Sequence, residues 1–515
     1  MRRTLVAVVG LCGVLTACGS TAAPSAQGTL TGGLDASGAL GQPGLTDGVV
    51  GAPDGQTLGA PLDPLAGPGS SAAGSTGSSG SGSGTTAAVP GAASGSDTAA
   101  AAPVTVDYSR PATGSPVDVG IMYIADLGAA AAHFGGSGED TTGQRDYMKA
   151  AVDWMNAHGG LGGHRINLLY YGAEIAGSKS YDQSQEEMCA MMTEDNKAVA
   201  AVISHITVTN NMAQCMEKAK GLYVSDGGYF KRTADWGRLT YTTSPSELDA
   251  EMLGRELAKL TIAKGAAKRG DKVGLVVYDA PGFRAAETEY TKVAKANGIE
   301  TMSYRITYAN STPELSNSIA AVQSAVLAFQ SEGVKTVVSL SSGGMMGFFL
   351  SNADNQRYYP RYVLSSNDGP VNAPAAEKNN QMDGAIALGY MPTQDVDLLR
   401  DPAQFSDPTF ATCRAINEKL PAARANLSNF SISQRVCQSL LLIQTAAKGY
   451  GGSDITGTTL REGLSKLGSR IPAGSTYRTL FAPNKLWAPS HYRSMRYDGD
   501  RNVFVYDSPP IPFSR

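Results

Sequence analysis

The side chains best equipped for chemistry are few: six cysteines, five histidines and one stretch with paired glycines in a chain of 515 residues. Cys12 and Cys18 fall in the N-terminal segment, and Cys189, Cys215, Cys413 and Cys437 form an even set in the remainder. Such a set in an exported chain reads as disulfides. Local pairing, Cys189 with Cys215 and Cys413 with Cys437, is preferred because each closes a short loop, whereas interleaved pairings join distant parts of the fold. The alternative is a zinc site, but there is no CxxC, and none of His133, His158, His164, His205 and His491 adjoins a cysteine. No GxSxG, HExxH or GxxxxGK[ST] is present, so neither the nucleophile, metalloprotease nor P-loop pattern supports an enzyme. The reading is no catalysis, no cofactor and no metal.

The paired glycines stand in Asn156–Glu174, NAHGGLGGHRINLLYYGAE. A phosphate cradle needs glycines after a strand and before a helix, so that amides at the helix N-terminus face the anion. Here a helical pattern ends before Gly159 and a strand begins near Arg165. The groups exposed at that helix end are carbonyls, and the stretch is expected to be a scaffold turn with glycines in left-handed backbone.

The elements that must position a site follow from composition. Arg2 and Arg3 precede an apolar run from Leu5 to Leu15, too short for a permanent membrane span, and Leu15-Thr16-Ala17-Cys18 fits a lipobox. Residues 1–17 therefore read as a lipoprotein signal peptide, with Cys18 the lipidated N-terminus after cleavage. Residues 18–115, rich in Gly, Ser, Ala, Thr and Pro, read as a disordered tether with a random-coil reach of ~50 Å. Loss of two arginines with the signal takes the formal charge from -4 to -6 (-4 minus 2). That balance, with no basic cluster, argues against nucleic-acid binding.

From Pro116 onward the periodicity alternates strand and helix. Strands are expected at Val117–Tyr123, Arg165–Tyr171, Ala198–Ile203, Leu222–Ser225, Lys272–Tyr278, Thr301–Tyr308, Thr336–Leu340, Arg361–Leu364 and Ala385–Tyr390. Helices intervene, one capped by Ser246, and a hairpin-like pair, Ser494–Tyr497 and Val503–Tyr506, closes the chain. Alternation of this kind gives an α/β fold of two doubly wound parallel-sheet lobes joined by a multi-strand hinge, with the default site in the interlobe cleft. The expected segmentation is 116–242 with 369–440 for lobe 1, and 243–368 with 441–515 for lobe 2.

Four segments in this order resemble type I periplasmic binding proteins of the leucine/isoleucine/valine-binding family. They are Asn156–Leu169 after the first helix, Ala198–Ser204 as the third strand, Tyr241–Ser246 as the first interlobe crossover and Lys272–Tyr278 as the first strand of lobe two. The interval of 26 residues from Cys189 to Cys215 (215 minus 189) is also similar to a lobe-one disulfide of that family. The resemblance implies a monomeric, extracytoplasmic solute receptor, held by a lipid anchor at the outer face of a bacterial membrane. Such a receptor closes on a small polar ligand and docks on an ABC permease; the alternative is a lipoprotein that signals through a membrane partner. Amino acids, amides and related organic acids are the implied ligands.

Ligand contacts are carried over by position to the loops after the strands. They are Phe134 after the first strand, as a ligand cover or a core residue, and Thr207 and Thr209 after the third, as carboxylate donors or caps. Asp226 and Gly227 replace a common Ser-x-x-Ala-Thr and suit a ligand ammonium or hydroxyl. In lobe two the stacking aromatic is missing at Pro281, and Tyr278 or Phe283 stands in for it. Gly344 lies in a cleft loop, and Asp368 stands where an acidic residue meets an amino group.

Overall fold

The computed structural model describes residues 106–126, 142–174, 179–204, 209–226, 230–309, 311–376, 380–469 and 474–514. Among them two sheets form. The first contains β1 (Gly114–Ile124), β2 (His164–Ala173), β3 (Ala200–Ser204), β4 (Leu222–Asp226) and β5 (Thr242–Thr243), all parallel, in the order β2-β1-β3-β4-β5. Its helices are α1 (Thr142–Ala157), α2 (Tyr181–Ala190), α3 (Asn211–Ala219) and α4 (Thr233–Arg238).

The chain then crosses to the second sheet through α5 (Ala250–Ala263). Five parallel strands follow: β6 (Lys272–Tyr278), β7 (Glu300–Ile306), β8 (Thr336–Leu340), β9 (Arg361–Ser365) and β10 (Ile386–Gly389). The connecting helices are α6 (Pro281–Ala296), α7 (Thr312–Ser331) and α8 (Gly343–Asn355). After a short turn of helix, α9 (Pro392–Asp395), the chain returns to the first sheet as α10 (Pro408–Asn417), α11 (Leu427–Tyr450) and α12 (Gly457–Ser465). It ends in β11 (His491–Asp498), β12 (Val503–Tyr506) and β13 (Ile511–Pro512), where β11 adds antiparallel to β10. The order of the second sheet is β12-β11-β10-β9-β8-β6-β7.

The central strands are short β-branched runs buried on both faces, as Thr336–Leu340 shows along its whole length. That is the signature of parallel strands covered by helices on each side. Each sheet reverses winding direction once, between β1 and β3 in the first and between β6 and β8 in the second.

Two expected boundaries move. Residues 369–440 do not all join the first lobe, because β10 pairs with β9 and β11 in the second sheet. Residues 441–467 leave the second lobe, because α11 is one 24-residue helix and its later half shares a core with β1, β3 and β4. A helix cannot be cut at 440 without dividing its buried stripe.

The expected tether also ends earlier than 115. Tyr108 lies against Gly159 and under the Lys448 ammonium, 4.8 Å from the ring centre, and Gly114 pairs with His164. The helix after the first crossover is capped by Asp249, whose carboxylate accepts from Met252 N, rather than by Ser246.

The glycine turn is scaffold as expected: Gly159, Gly160, Gly162 and Gly163 all have positive φ. A Cβ on Gly160 would stand 2.0 Å from the His164 carbonyl oxygen, so the close approach requires glycine. Both local disulfides are present. Cys189–Cys215 ties α2 to α3 and Cys413–Cys437 ties α10 to α11, each worth roughly 3 kcal/mol in unfolded-chain entropy.

Candidate functional site

Ligands of open parallel sheets bind beyond the carboxyl ends of the strands, at the point where winding reverses. In the second sheet that point lies between β6, which ends at Tyr278, and β8, which Ser342 follows by two residues. The Tyr278 hydroxyl and the Ser342 Oγ are 3.1 Å apart. The Tyr278 ring meets Phe283 edge-on at 5.2 Å and Tyr308 edge-on at 5.1 Å, while Phe230 packs on Phe283 at 4.8 Å. Phe283 is fully buried and Tyr308 half-buried, so the ring cluster has a solid base and a tyrosine rim.

The first lobe supplies Tyr181, the first residue of α2, behind a capping box in which Ser180 and Gln183 exchange hydrogen bonds. Burial raises the Tyr181 hydroxyl above its ordinary range, and the Asp126 carboxylate adds to this. Burial likewise raises Tyr278, with Tyr181 and Asp368 contributing and the Ser342 hydrogen bond opposing. Tyr181 is thus within electrostatic reach of Tyr278.

Behind this wall lie two buried polar networks. Asp226 has no exposed surface; Arg435 from α11 donates through Nε to its Oδ2 at 3.1 Å and through Nη2 to its main-chain oxygen at 2.5 Å, and Ser246 donates to Oδ1. Alongside, Lys231 and Glu247 pair at 2.6 Å with 2 % of each side chain exposed, and Ser225 joins both. This network binds the first crossover to lobe one.

In lobe two, burial pushes the Asp368 carboxyl up to about 6, opposed by donation from Ser339 and from the backbone and hydroxyl of Ser365. Asp395 is pushed up to about 8 by burial, although Ser366, Tyr477 and Tyr506 donate to it at 2.6, 3.1 and 3.3 Å. Gln394 donates to Ser431 of α11 at 2.8 Å, a direct hydrogen bond between lobes.

A raised carboxyl fixes a sign. The folded chain keeps the Asp395 proton up to about pH 8, whereas the unfolded chain loses it near pH 4. Folded protein therefore binds more protons between those limits, and this group's contribution to stability falls as pH rises through the window. Urea midpoints of wild type and Asp395→Asn are expected to diverge in the variant's favour from pH 5 to pH 8. A constant gap would contradict the assignment.

The expected site residues divide by lobe. Tyr278, Phe283, Gly344 and Asp368 gather at the ends of β6, β8 and β9, with Gly344 in the first turn of α8 beside Ser342. Asp368 faces inward, 3 % exposed, and organises its own loop, so the amino-group role expected of it does not match its partners. Asp226 is saturated by Arg435 and Ser246 and is likewise a scaffold carboxylate. Thr209 donates its only hydroxyl proton to Asp182 at 2.5 Å, and Asn211 donates to the same oxygen at 2.9 Å. The first residue of α3 is thereby tied to the Asp182 carboxylate. Phe134, Thr207, Gly227 and Cys18 lie outside the described residues. Tyr181, Tyr308 and Ser342 were not among the expected contacts. The capping-box spacing Ser180–Gln183 marks the helix start that carries Tyr181, whereas the pairing of Lys231 with Glu247 leaves no short-range signal.

A profile described as "Periplasmic binding protein" matches residues 127–497. The chain belongs to the type I periplasmic binding protein family. Solved structures agree in fold at low identity. A branched-chain amino acid ABC transporter protein from Thermus thermophilus with bound valine is 14% identical, with 77% of this chain and 96% of that one covered and a TM-score of 0.57. A fatty acid ABC transporter substrate-binding protein from Thermomonospora curvata is 14% identical over 78% and 94% of the two chains, with TM-score 0.57. A solute binding protein from Rhodopseudomonas palustris BisB5 in complex with 3,4-dihydroxy benzoic acid is 11% identical over 78% and 98%, with TM-score 0.55. No curated protein matches the sequence. Within this binding-protein fold, the described residues contain no helix long and apolar enough to cross a membrane.

Proposed function

We propose that this binding protein is a monomeric, lipid-anchored receptor at the outer face of a bacterial membrane, without catalysis, that captures a small solute between its lobes and delivers it to an ABC permease. The observation that carries this reading is the tyrosine wall at the switch point of the second sheet, Tyr278 and Tyr308 edge to face with the Tyr278 hydroxyl on Ser342. Three chain crossings and the Gln394–Ser431 hydrogen bond join the lobes, which suits hinge closure around a ligand. The named relatives' ligands, valine and 3,4-dihydroxy benzoic acid, are small organic acids with hydrogen-bonding groups, consistent with an amino acid, amide or related organic acid here. Leu15-Thr16-Ala17-Cys18 supports lipidation at Cys18.

The test is calorimetric titration of the full chain against amino acids, amides, short peptides and aromatic acids. At least one is expected to bind in the micromolar range or tighter, about -8 kcal/mol. Silence across all four classes would overturn the reading.

A further inference from the structure

A cavity of about 960 Å³ lies away from the strand ends: neither Tyr278, Ser342 nor Asp368 lines it. It opens behind the hinge, where the last crossover, from α12 to β11, passes the first turn of α5 and the C-terminal tail. Leu480 and Trp487 of the crossover, Met252 of α5 and Phe513 of the tail make its apolar wall. Trp487 is braced from behind by Trp236, stacked at 5.0 Å.

Three charged side chains line this cavity, Asp407, Arg478 and Lys485. Lys485 donates to the main-chain oxygens of Leu480, Trp487 and Pro489 and its Nζ lies 4.7 Å from the centre of the Trp487 ring, while burial pushes its pKa down to about 7, with the Asp249 carboxylate opposing. No carboxylate is within ion-pair distance of Lys485 or of the exposed Arg478 among the described residues. The one acid in the lining, Asp407, already accepts from Thr409 N at 2.8 Å and Phe410 N at 3.1 Å as the cap of α10. The result is an apolar chamber of ligand size whose exposed charged group, Arg478, has no ion-pair partner among the described residues.

We propose that this chamber is a second ligand site, separate from the interlobe cleft, for a small organic anion with an apolar body. The anionic group meets Arg478, whose fork suits a carboxylate, and the body lies on Trp487, Leu480 and Phe513. Because the last crossover forms one wall and α5, the tail and the start of α10 form the others, an occupant braces the hinge. By linkage it changes the affinity of the cleft for its own solute.

Naphthalene-2-carboxylate, titrated calorimetrically into the full chain, tests this against the neutral naphthalene-2-methanol. The carboxylate is expected to bind at least about tenfold more tightly than the alcohol, and Arg478→Gln is expected to remove that preference. Leu480→Trp and Met252→Trp, which fill the chamber from opposite walls, are each expected to abolish binding, while Tyr278→Ala retains it. No heat with the carboxylate, equal affinity for the alcohol, or loss in Tyr278→Ala with retention in both filled variants would overturn the proposal.

Discussion

Arg435→Ala is expected to lower the stability of the folded domain by about 3–5 kcal/mol, the cost of leaving a buried carboxylate without its ion partner. Asp226 is wholly buried and Arg435 nearly so, and the guanidinium reaches the carboxylate from one side and the main-chain oxygen beside it. Water does not replace those donors at a site with no exposed surface. Arg435→Lys is expected to recover only part of the loss, since one ammonium cannot reproduce the fork. The double change Asp226→Asn with Arg435→Met removes both charges and is expected to cost less than Arg435→Ala alone. Urea denaturation with unchanged m-values measures all three. A loss below about 1 kcal/mol for Arg435→Ala would show that the pair does not hold the crossover to lobe one.

The second large effect concerns affinity. Tyr278→Ala is expected to weaken binding of whichever solute the calorimetric panel identifies by about 30-fold, or ~2 kcal/mol, the usual cost of removing a central aromatic anchor. Tyr278→Phe keeps the ring against Phe283 and Tyr308 and loses only the hydroxyl bonded to Ser342. It is expected to keep most of the affinity. The truncation also opens a cavity, so the comparison belongs at a temperature where circular dichroism shows both variants folded. Equal affinity of wild type and Tyr278→Ala would remove the tyrosine wall from the site.

Strand and helix periodicity carried most of the architecture. Lys272–Tyr278 and Thr336–Leu340 have the expected bounds, because buried strands write their period locally. Sheet membership was less legible, since it depends on which strand a segment pairs with. Ile386–Gly389 reads as a strand from its own residues, but only its pairing with β9 assigns it to the second lobe. The same limit governs the site. Tyr278 was legible as the end of a strand, while the switch point beside it follows only from the strand order. Asp226 was misread because its partner Arg435 lies 209 residues away, beyond any local pattern. Thr209 failed for a similar reason: its hydroxyl looks available in the sequence, and Asp182, 27 residues earlier, has taken it.

Solute binding is expected to close the two lobes around the tyrosine wall. Small-angle scattering of the full chain, with and without the solute found by calorimetry, tests it most directly. Closure predicts a smaller radius of gyration and a shorter maximum dimension with ligand, and a weaker response to the same solute concentration in Tyr278→Ala. Saturated binding with superimposable scattering curves would contradict it.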